Sequence, residues 1–541
     1  MPATAIEPET PASGEPARAT GPWRARAARV ALAVGSGLTL YLSFAPRPLW
    51  WLAPIAFAGL AIALHGRRFW SGFGLGLAFG LAFFLAHIRW IQDFLGDDFG
   101  SAPWLALSAL MALFLAVACG LMTFVASLPG APVWMALVFL LHETVRSRFP
   151  INGFPWGRTA FSQPEGAFLP IASVGGAPLV GFAVAVTGFG LGTLIVRIAG
   201  RDRRPARPLI RTLGVPALCT LFPVCAGLAL WPTIGTDPQA GTRSIAIVQG
   251  NAPDVGLGLL GQTGTIRTNH IEQTERLIAD IRSGAVPKPD LVIWPETATD
   301  LRSEHDPVIQ RLVDELDTPA LIGAKYRLPT GRTQNTVVAW EPGEGQGERY
   351  VKQELVPFAE YVPLRQVARL FTPFVDDTGD MEAGTEPTNL EVAGTSVGVA
   401  ICYEAAYDYV SREATAAGAQ LLAVPTNNAW YGPGEMSYQQ LAMSRLRAVE
   451  HGRAVVVPAT SGVSAVIRPD GTAARPTRLY TATTLVETVP LRQATTLSDR
   501  LGAWTEYVLV GAALASLLTG IGLRLRTRRS GAGRAPESAT D

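Results

Sequence analysis

Apolar and polar positions follow two different regimes along this chain. Seven long apolar runs occupy about 28–45, 49–65, 71–91, 104–128, 131–146, 170–196 and 210–231, and an eighth lies at about 502–523. Most of them reach the ~20 residues an α-helix needs to cross a hydrocarbon layer ~30 Å thick. The fifth is the weakest, because His142 and Glu143 cut it short. A second run follows the first within a few residues and no convincing cleavage site separates them, so the first reads as an anchor rather than a removable leader.

Between the seventh and eighth runs the pattern becomes that of a water-soluble domain. SIAIVQGN (244–251), DLVIW (290–294), PALIGAK (319–325), NTVVAWEP (335–342) and TSVGVAIC (395–402) read as strands. IRTNHIEQTERLIADIRS (266–283) has helical periodicity, and EAAYDYVSREATAAG (404–418) reads as the helix directly after the fifth strand. QLLAVPTN, a helix through SYQQLAMSRLRAVEHG, AVVVPAT and SAVIRPDG complete the series, with Asp470-Gly471 as a hairpin signal. Alternating strands and helices predict a layered α/β domain. The expected division is a polar tail at 1–27, a seven-span helical membrane domain at 28–232, an α/β domain at 240–495, an eighth span at 500–524 and a basic tail at 525–541.

Charge adds an orientation. Arg24, Arg26 and Arg29 precede the first span and Arg67 and Arg68 follow the second. Arg197, Arg201, Arg203, Arg204, Arg207 and Arg211 surround the link between the sixth and seventh, and Arg524, Arg526, Arg528 and Arg529 follow the eighth. With eight crossings all four clusters fall on one side, which the positive-inside rule makes cytoplasmic. Both termini are then cytoplasmic; the loop with Asp93, Asp97 and Asp98, and the whole α/β domain, are extracytoplasmic. The net charge of +1 argues against a nucleic-acid partner. The outer loop RFPINGFPWGRTAFSQPEGAF places Phe154, Trp156 and Phe161 among Gly and Pro, as interfacial anchors or as a substrate-contacting lip.

Candidate chemistry sits where strands end. Glu296 follows a strand in VIWPET, and Cys402 closes one in GVAICYE; it is the one cysteine outside the apolar runs. A thiol at a helix N-terminus is favoured as thiolate, and a carboxylate could take its proton. Lys352, in YVKQELVPFAEYVP, is a candidate oxyanion donor. No CxxC, HExxH or HxxxH spacing is present, so no metal site is expected.

These phrases resemble the nitrilase, or carbon–nitrogen hydrolase, superfamily. The signatures are WPET around Glu296, K-x-x-L-V-P-F-x-E-Y-V-P around Lys352 and I-C-Y-E around Cys402. The membrane frame narrows the resemblance to the bacterial apolipoprotein N-acyltransferase family, as do GFPWG (153–157), VQGN (248–251), LVPFAEYVP (355–363) and TNNAWYG (426–432). The resemblance implies an αββα sandwich and a Glu296–Lys352–Cys402 triad, with no cofactor. It implies ping-pong acyl transfer from a phospholipid, through a thioester on Cys402, to the α-amine of a diacylglyceryl-modified apolipoprotein in the inner membrane. The expected acting unit is a monomer.

The same resemblance gives Glu360 a role in orienting Lys352, Glu404 a role beside the nucleophile, and Tyr403 a part in shaping an acyl pocket. Trp430, Tyr431 and Trp156 are candidate substrate contacts; Asn427 and Asn428 read as turn residues, and His451 and Arg453 as structural. The chain departs from the family in one stretch: APDVGLGLLGQTG after VQGN lacks the aromatic residue relatives carry in a mobile loop. Two rival readings remain: a tethered amidase that uses water as acceptor, and a lipoprotein-binding factor that keeps only the fold.

Overall fold

A computed structural model describes residues 22–96, 100–200, 209–259, 261–369, 379–386 and 389–532. Asp97, Asp98, the arginines at 201–207 and the outer parts of both tails lie outside the described residues. Eight helices come first: α1 Pro22–Leu42, α2 Leu52–Leu64, α3 Phe69–His87, α4 Trp90–Leu95, α5 Ala102–Val125, α6 Ala131–Arg146, α7 Ala172–Ala199 and α8 Leu209–Leu230. Apart from the short α4, they coincide with the seven apolar runs. α7 is broken at Gly175–Gly176, where Gly176 has φ 67° and a Cβ would lie 2.3 Å from the Glu450 carboxylate.

Among the described residues, five helices are long and apolar enough to span a bilayer: Phe69–His87, Ala102–Val125, Leu169–Ala199, Thr212–Thr233 and Trp504–Thr527. Three of the eight expected spans fall outside this set: α1, whose first half carries Arg24, Arg26 and Arg29, and the shorter α2 and α6. α2 has 13 residues and α6 has 16, or roughly 20 and 24 Å at about 1.5 Å per residue. The flanking Trp50 and Trp51 form a turn instead of extending α2. In α6 the polar side chains face inward, where Glu143 accepts from the Thr159 backbone (2.7 Å) and hydroxyl (2.9 Å).

The α/β domain contains two sheets. One is built from β1 Thr242–Gln249, β2 Leu291–Ile293, β3 Thr299–Leu301, β4 Ala320–Arg327, β5 Thr333–Glu341, β6 Gly345–Val351 and β13 Thr483–Pro490, in the order β13-β1-β2-β4-β5-β6 with β3 against β4. The other is built from β7 Leu390–Val392, β8 Thr395–Val399, β9 Leu421–Ala423, β10 Val455–Val457, β11 Ala465–Ile467 and β12 Ala473–Ala474, in the order β12-β11-β10-β9-β8-β7. β1, β2 and β4 run parallel, β5 reverses, and β6 reverses again; β8, β9 and β10 are parallel. β3, β6, β7 and β13 lacked a clear signal in the pattern of the sequence.

Alternating side chains fix the layers. Ile245, Ile247, Leu291 and Ile293 of the first sheet meet Val397, Val399, Leu421 and Val456 of the second in one buried core. The opposite face of the first sheet is covered by α9 Thr263–Ser283 and α10 Pro307–Leu316. α10 starts where Asp306 caps Val308 N (3.1 Å) and Ile309 N (3.2 Å), with Pro307 at its first position. The second sheet is covered by α12 Asp408–Ala416 and α13 Met436–His451; α11 Arg365–Ala368 and α14 Leu497–Leu501 are short connectors. This is the expected αββα sandwich, standing beside the expected multi-pass helical membrane domain.

The α12/α13 layer also packs on the helical domain, so one core runs from Phe57 and Phe83 to Leu446 and Val455. Polar ties accompany it: Arg158 pairs with Asp408 (2.7 Å), Arg47 with Glu435 (2.5 Å), and Trp156 Nε1 donates to Gln439 (2.7 Å). The final helix, α15 Trp504–Ala532, returns along α5 and α6.

Candidate active site

Glu296, Lys352 and Cys402 leave the C-terminal ends of β2, β6 and β8 and are 5 %, 1 % and 3 % exposed. Glu296 is set by a crossing so close that a Cβ on Gly323 would lie 1.9 Å from Pro295 O. Lys352 is registered against β5 by its backbone N–H, which donates to Asn335 O (2.9 Å). Its Nζ donates to Glu296 Oε1 (2.9 Å) and to Glu360 Oε1 (3.0 Å). Asn335 Nδ2 bridges the same two oxygens at 2.8 and 2.7 Å, while Val356 N donates to Glu360 Oε2 (2.7 Å) and Asn427 N to Glu296 Oε2 (2.8 Å). Two carboxylates and one ammonium are thus locked in a water-poor pocket.

Burial alone would raise the Glu296 carboxyl, but the Lys352 ammonium and the hydrogen bonds from Lys352, Asn335 and Asn427 hold it below its ordinary range. Burial alone would lower Lys352; Glu296 and then Glu360 instead hold it well above. Glu296 is therefore ionised and the Lys352 ammonium charged at neutral pH. An ammonium has three donors, and two are committed to carboxylates.

Cys402 corrects the expectation of a pre-formed thiolate. It has φ 53° and opens a one-turn 3₁₀ helix, Cys402–Ala406; α12 begins only at Asp408. The long helix expected to open at the sulfur therefore starts six residues later. Burial pushes the thiol up to about 12, aided by the Glu296 carboxylate and opposed by the Lys352 ammonium and the polar side chains of Thr426 and Gln440. The left-handed backbone at a non-glycine residue costs on the order of 1–3 kcal/mol and is held by its neighbours. Cys402 N donates to Pro425 O (2.9 Å).

Glu404 is the clamp on that turn. Its carboxylate accepts from Ile401 N (2.6 Å), Gln353 N (2.7 Å), Glu354 N (3.1 Å) and the Tyr350 hydroxyl (3.0 Å). It therefore ties the cysteine turn to the residues after Lys352. Burial raises its carboxyl to about 7, against the pull of Lys352 and these donors.

The aromatic residues divide. Tyr403 stacks on Trp156, with centroids 6.4 Å apart and planes at 12°, and its hydroxyl donates to Gly153 O (3.4 Å). Tyr431 packs on Trp90 (5.0 Å) and Phe94 (5.4 Å); its hydroxyl is pushed well up by burial, then by Cys402 and Glu296. Trp430 is partly exposed, packing against Phe94 and the cluster of Ala252, Leu259 and Ile266. Trp156 as a substrate-contacting lip is corrected: it is 1 % exposed and its N–H is spent on Gln439. The loop is interior because buried Arg146 draws in the carbonyls of Phe154 (2.7 Å) and Trp156 (2.8 Å).

Asn427 and Asn428, read as turn residues, cap and open the one-turn 3₁₀ helix Asn428–Tyr431, and both are buried. Each is 2 % exposed, one giving its backbone N–H to Glu296 and the other its side-chain amide to Gln440 (2.7 Å). His451 pairs with Asp499 (2.6 Å) and Arg453 binds the carbonyls of Ala419 and Ala494, structural roles as expected. Sequence reasoning missed Asn335, Thr426 and Gln440. Only a buried polar residue inside the apolar strand NTVVAW could have flagged the first.

This arrangement, a buried Glu–Lys–Cys cluster between two sheets on a helical membrane domain, defines a membrane-bound protein of carbon–nitrogen hydrolase class. Residues 36–190 match the family described as Apolipoprotein N-acyltransferase N-terminal domain, and residues 245–498 match Carbon-nitrogen hydrolase. The apolipoprotein N-acyltransferase of Mycolicibacterium smegmatis is 37 % identical over 95 % of this chain and 90 % of its own. That of Chromobacterium violaceum is 30 % identical over 92 % of this chain and 94 % of its own. Among solved structures, Saccharomyces cerevisiae Nit3 of the nitrilase superfamily overlaps with a TM-score of 0.35 at 14 % identity, covering 46 % of this chain and 90 % of that one. The chain belongs to the apolipoprotein N-acyltransferase family and is an enzyme of acyltransferase class.

Proposed function

We propose that this enzyme moves a fatty acyl chain from a membrane phospholipid to the α-amine of the N-terminal diacylglyceryl-cysteine of an apolipoprotein, by way of a thioester on Cys402. The observation that carries the reading is the buried Glu296–Lys352–Glu360 cluster with Cys402 on the facing sheet. As substrate enters, Glu296 takes the thiol proton and the sulfur attacks the ester carbonyl. The third Lys352 proton is free for the developing oxyanion, a kind of donor worth roughly 3–4 kcal/mol. Glu296 returns the proton to the departing glyceryl oxygen and lysophospholipid leaves. The lipoprotein amine then attacks the thioester, losing its proton to Glu296, and the thiol is restored as the amide forms. Glu360 orients Lys352, Glu404 holds the cysteine turn, and Tyr403 shapes the acyl-binding side; Trp430 and Tyr431 are proposed substrate contacts at the rim.

The proposed setting is a bacterial inner membrane, with the domain at 240–495 outside, spans within 28–232 and 500–524, tails at 1–27 and 525–541 in the cytoplasm, and a monomer as the acting unit. Support comes from the arginines at the start of α1, the end of α2, the end of α7 and within α15. Exposed Phe358 (60 %), two residues before Glu360, gives the cluster's surroundings the apolar surface a lipid-facing enzyme needs. The test is transfer of a labelled acyl chain from phospholipid to a diacylglyceryl lipopeptide by the full-length enzyme in detergent. Wild type should form the N-acyl product, while E296Q and C402A should lose it by at least about 10³-fold. Retained activity in either, or ammonia release from amides without lipopeptide acylation, would overturn the reading.

A further inference from the structure

Gln440, on α13, is 1 % exposed, and only one end of its carboxamide is held. Its Oε1 accepts from the Thr426 hydroxyl (2.8 Å) and from Asn428 Nδ2 (2.7 Å). The orientation is pinned, because Asn428 Nδ2 also reaches Met436 Sδ (3.2 Å), an atom that can only accept. With both acceptor contacts on one side, Nε2 projects away, buried and without a partner. A buried amide N–H left alone is rare enough to need an explanation.

The explanation lies next to it. Thr426 follows Pro425, whose carbonyl takes the Cys402 backbone N–H at 2.9 Å, so the cysteine is stitched alongside the residue Gln440 grips. Thr426 gives its one proton to Gln440 Oε1 in the resting site, so it can donate to the sulfur only by giving that bond up. Two of the three Lys352 protons are committed to Glu296 and Glu360, and the third is the one the oxyanion needs. A thiol buried beside a carboxylate has few other donors to turn to when it loses its proton.

We propose that Gln440 donates a hydrogen bond from Nε2 to the Cys402 sulfur in its thiolate form, and is thus a catalytic side chain beyond the triad. The inference rests on Cys402 being the nucleophile, but its test reads thiol ionisation alone and does not depend on the acyl path. A neutral donor suits the place: it favours the thiolate without forming an ion pair that would hold the proton-free state too tightly to attack.

The experiment is alkylation of the full-length detergent-solubilised enzyme by iodoacetamide from pH 7 to 9, resolved by peptide mass spectrometry. Reduced glutathione added to the same reaction serves as the reference thiol. Below its midpoint, the thiolate fraction of Cys402 scales with the thiol's acidity. Loss of one charge-assisted donor should slow its alkylation about tenfold at every pH. Q440M, matched in length, should show that loss with glutathione alkylation unchanged, and Q440H, which returns an N–H, should recover part of it. If Q440M is alkylated at the wild-type rate, or if folded Q440H is as slow as Q440M, the donor role is refuted.

Discussion

Replacing Glu360 by Gln tests how far the ammonium depends on its second carboxylate. Glu360 accepts from Lys352 Nζ (3.0 Å) and Asn335 Nδ2 (2.7 Å) on one oxygen and from Val356 N (2.7 Å) on the other. A Gln has one acceptor. Turned toward Lys352 and Asn335, it points its own N–H₂ at Val356 N; turned the other way, it abandons two donors. The milder choice still loses one charge-assisted bond and leaves a buried N–H unpaired, about 2–3 kcal/mol together. The cluster also goes from two carboxylates and one ammonium to one of each, so Lys352 is drawn toward Glu296 and away from the oxyanion position. If that cost falls on the transition state, kcat/KM drops about 30- to 150-fold, at about 1.4 kcal/mol per factor of ten. The assay is acyl transfer to lipopeptide alongside thermal unfolding. Folded E360Q within threefold of wild type would refute the assignment of Glu360 as the residue that positions Lys352.

Asp408 accepts from both Arg158 (2.7 Å) and Arg447 (2.8 Å), so D408N should cost roughly 3–5 kcal/mol by leaving two buried guanidiniums undercompensated. Burial would raise the Asp408 carboxyl, but Arg158 and Arg447 hold it well below its usual range. The stability it contributes is present above about pH 4 and lost as pH falls below that, so thermal melts should show a steeper acid loss in wild type than in D408N. Glu404 has the opposite sign. Its carboxyl is raised to about 7, so the folded state holds a proton the unfolded state releases. The associated stability is full below about pH 4.5 and lost as pH rises to about 7, roughly 3 kcal/mol. E404Q should flatten that slope in unfolding experiments across pH 4.5–7; an unchanged slope would contradict the assignment.

The clustering of Glu296, Lys352 and Cys402 was legible because each sits in its own local phrase at a strand end. The helical bundle was legible because lipid-scale apolar runs can be read without knowing what they pack against. What packs against what was less accessible. The 404–418 segment has continuous helical composition, yet Glu404 spends its carboxylate on Ile401 N and neighbouring loop amides, and the helix restarts at Asp408. Nothing local reports that competition. Trp156 looked interfacial because Gly, Pro and aromatics are common at bilayer edges; it is interior because Arg146 and Gln439, one on each domain, claim its polar groups. Asn335 was hidden for a similar reason: its function is to bridge two carboxylates brought in from residues 39 and 25 positions away.

Intact mass spectrometry of the full-length enzyme incubated with phospholipid alone, with no acceptor, addresses the covalent path most directly. The expected result is one added acyl mass on Cys402, released by hydroxylamine, removed on addition of a diacylglyceryl lipopeptide, and absent from C402A. An unmodified mass in enzyme that goes on to acylate lipopeptide when both substrates are supplied would contradict it.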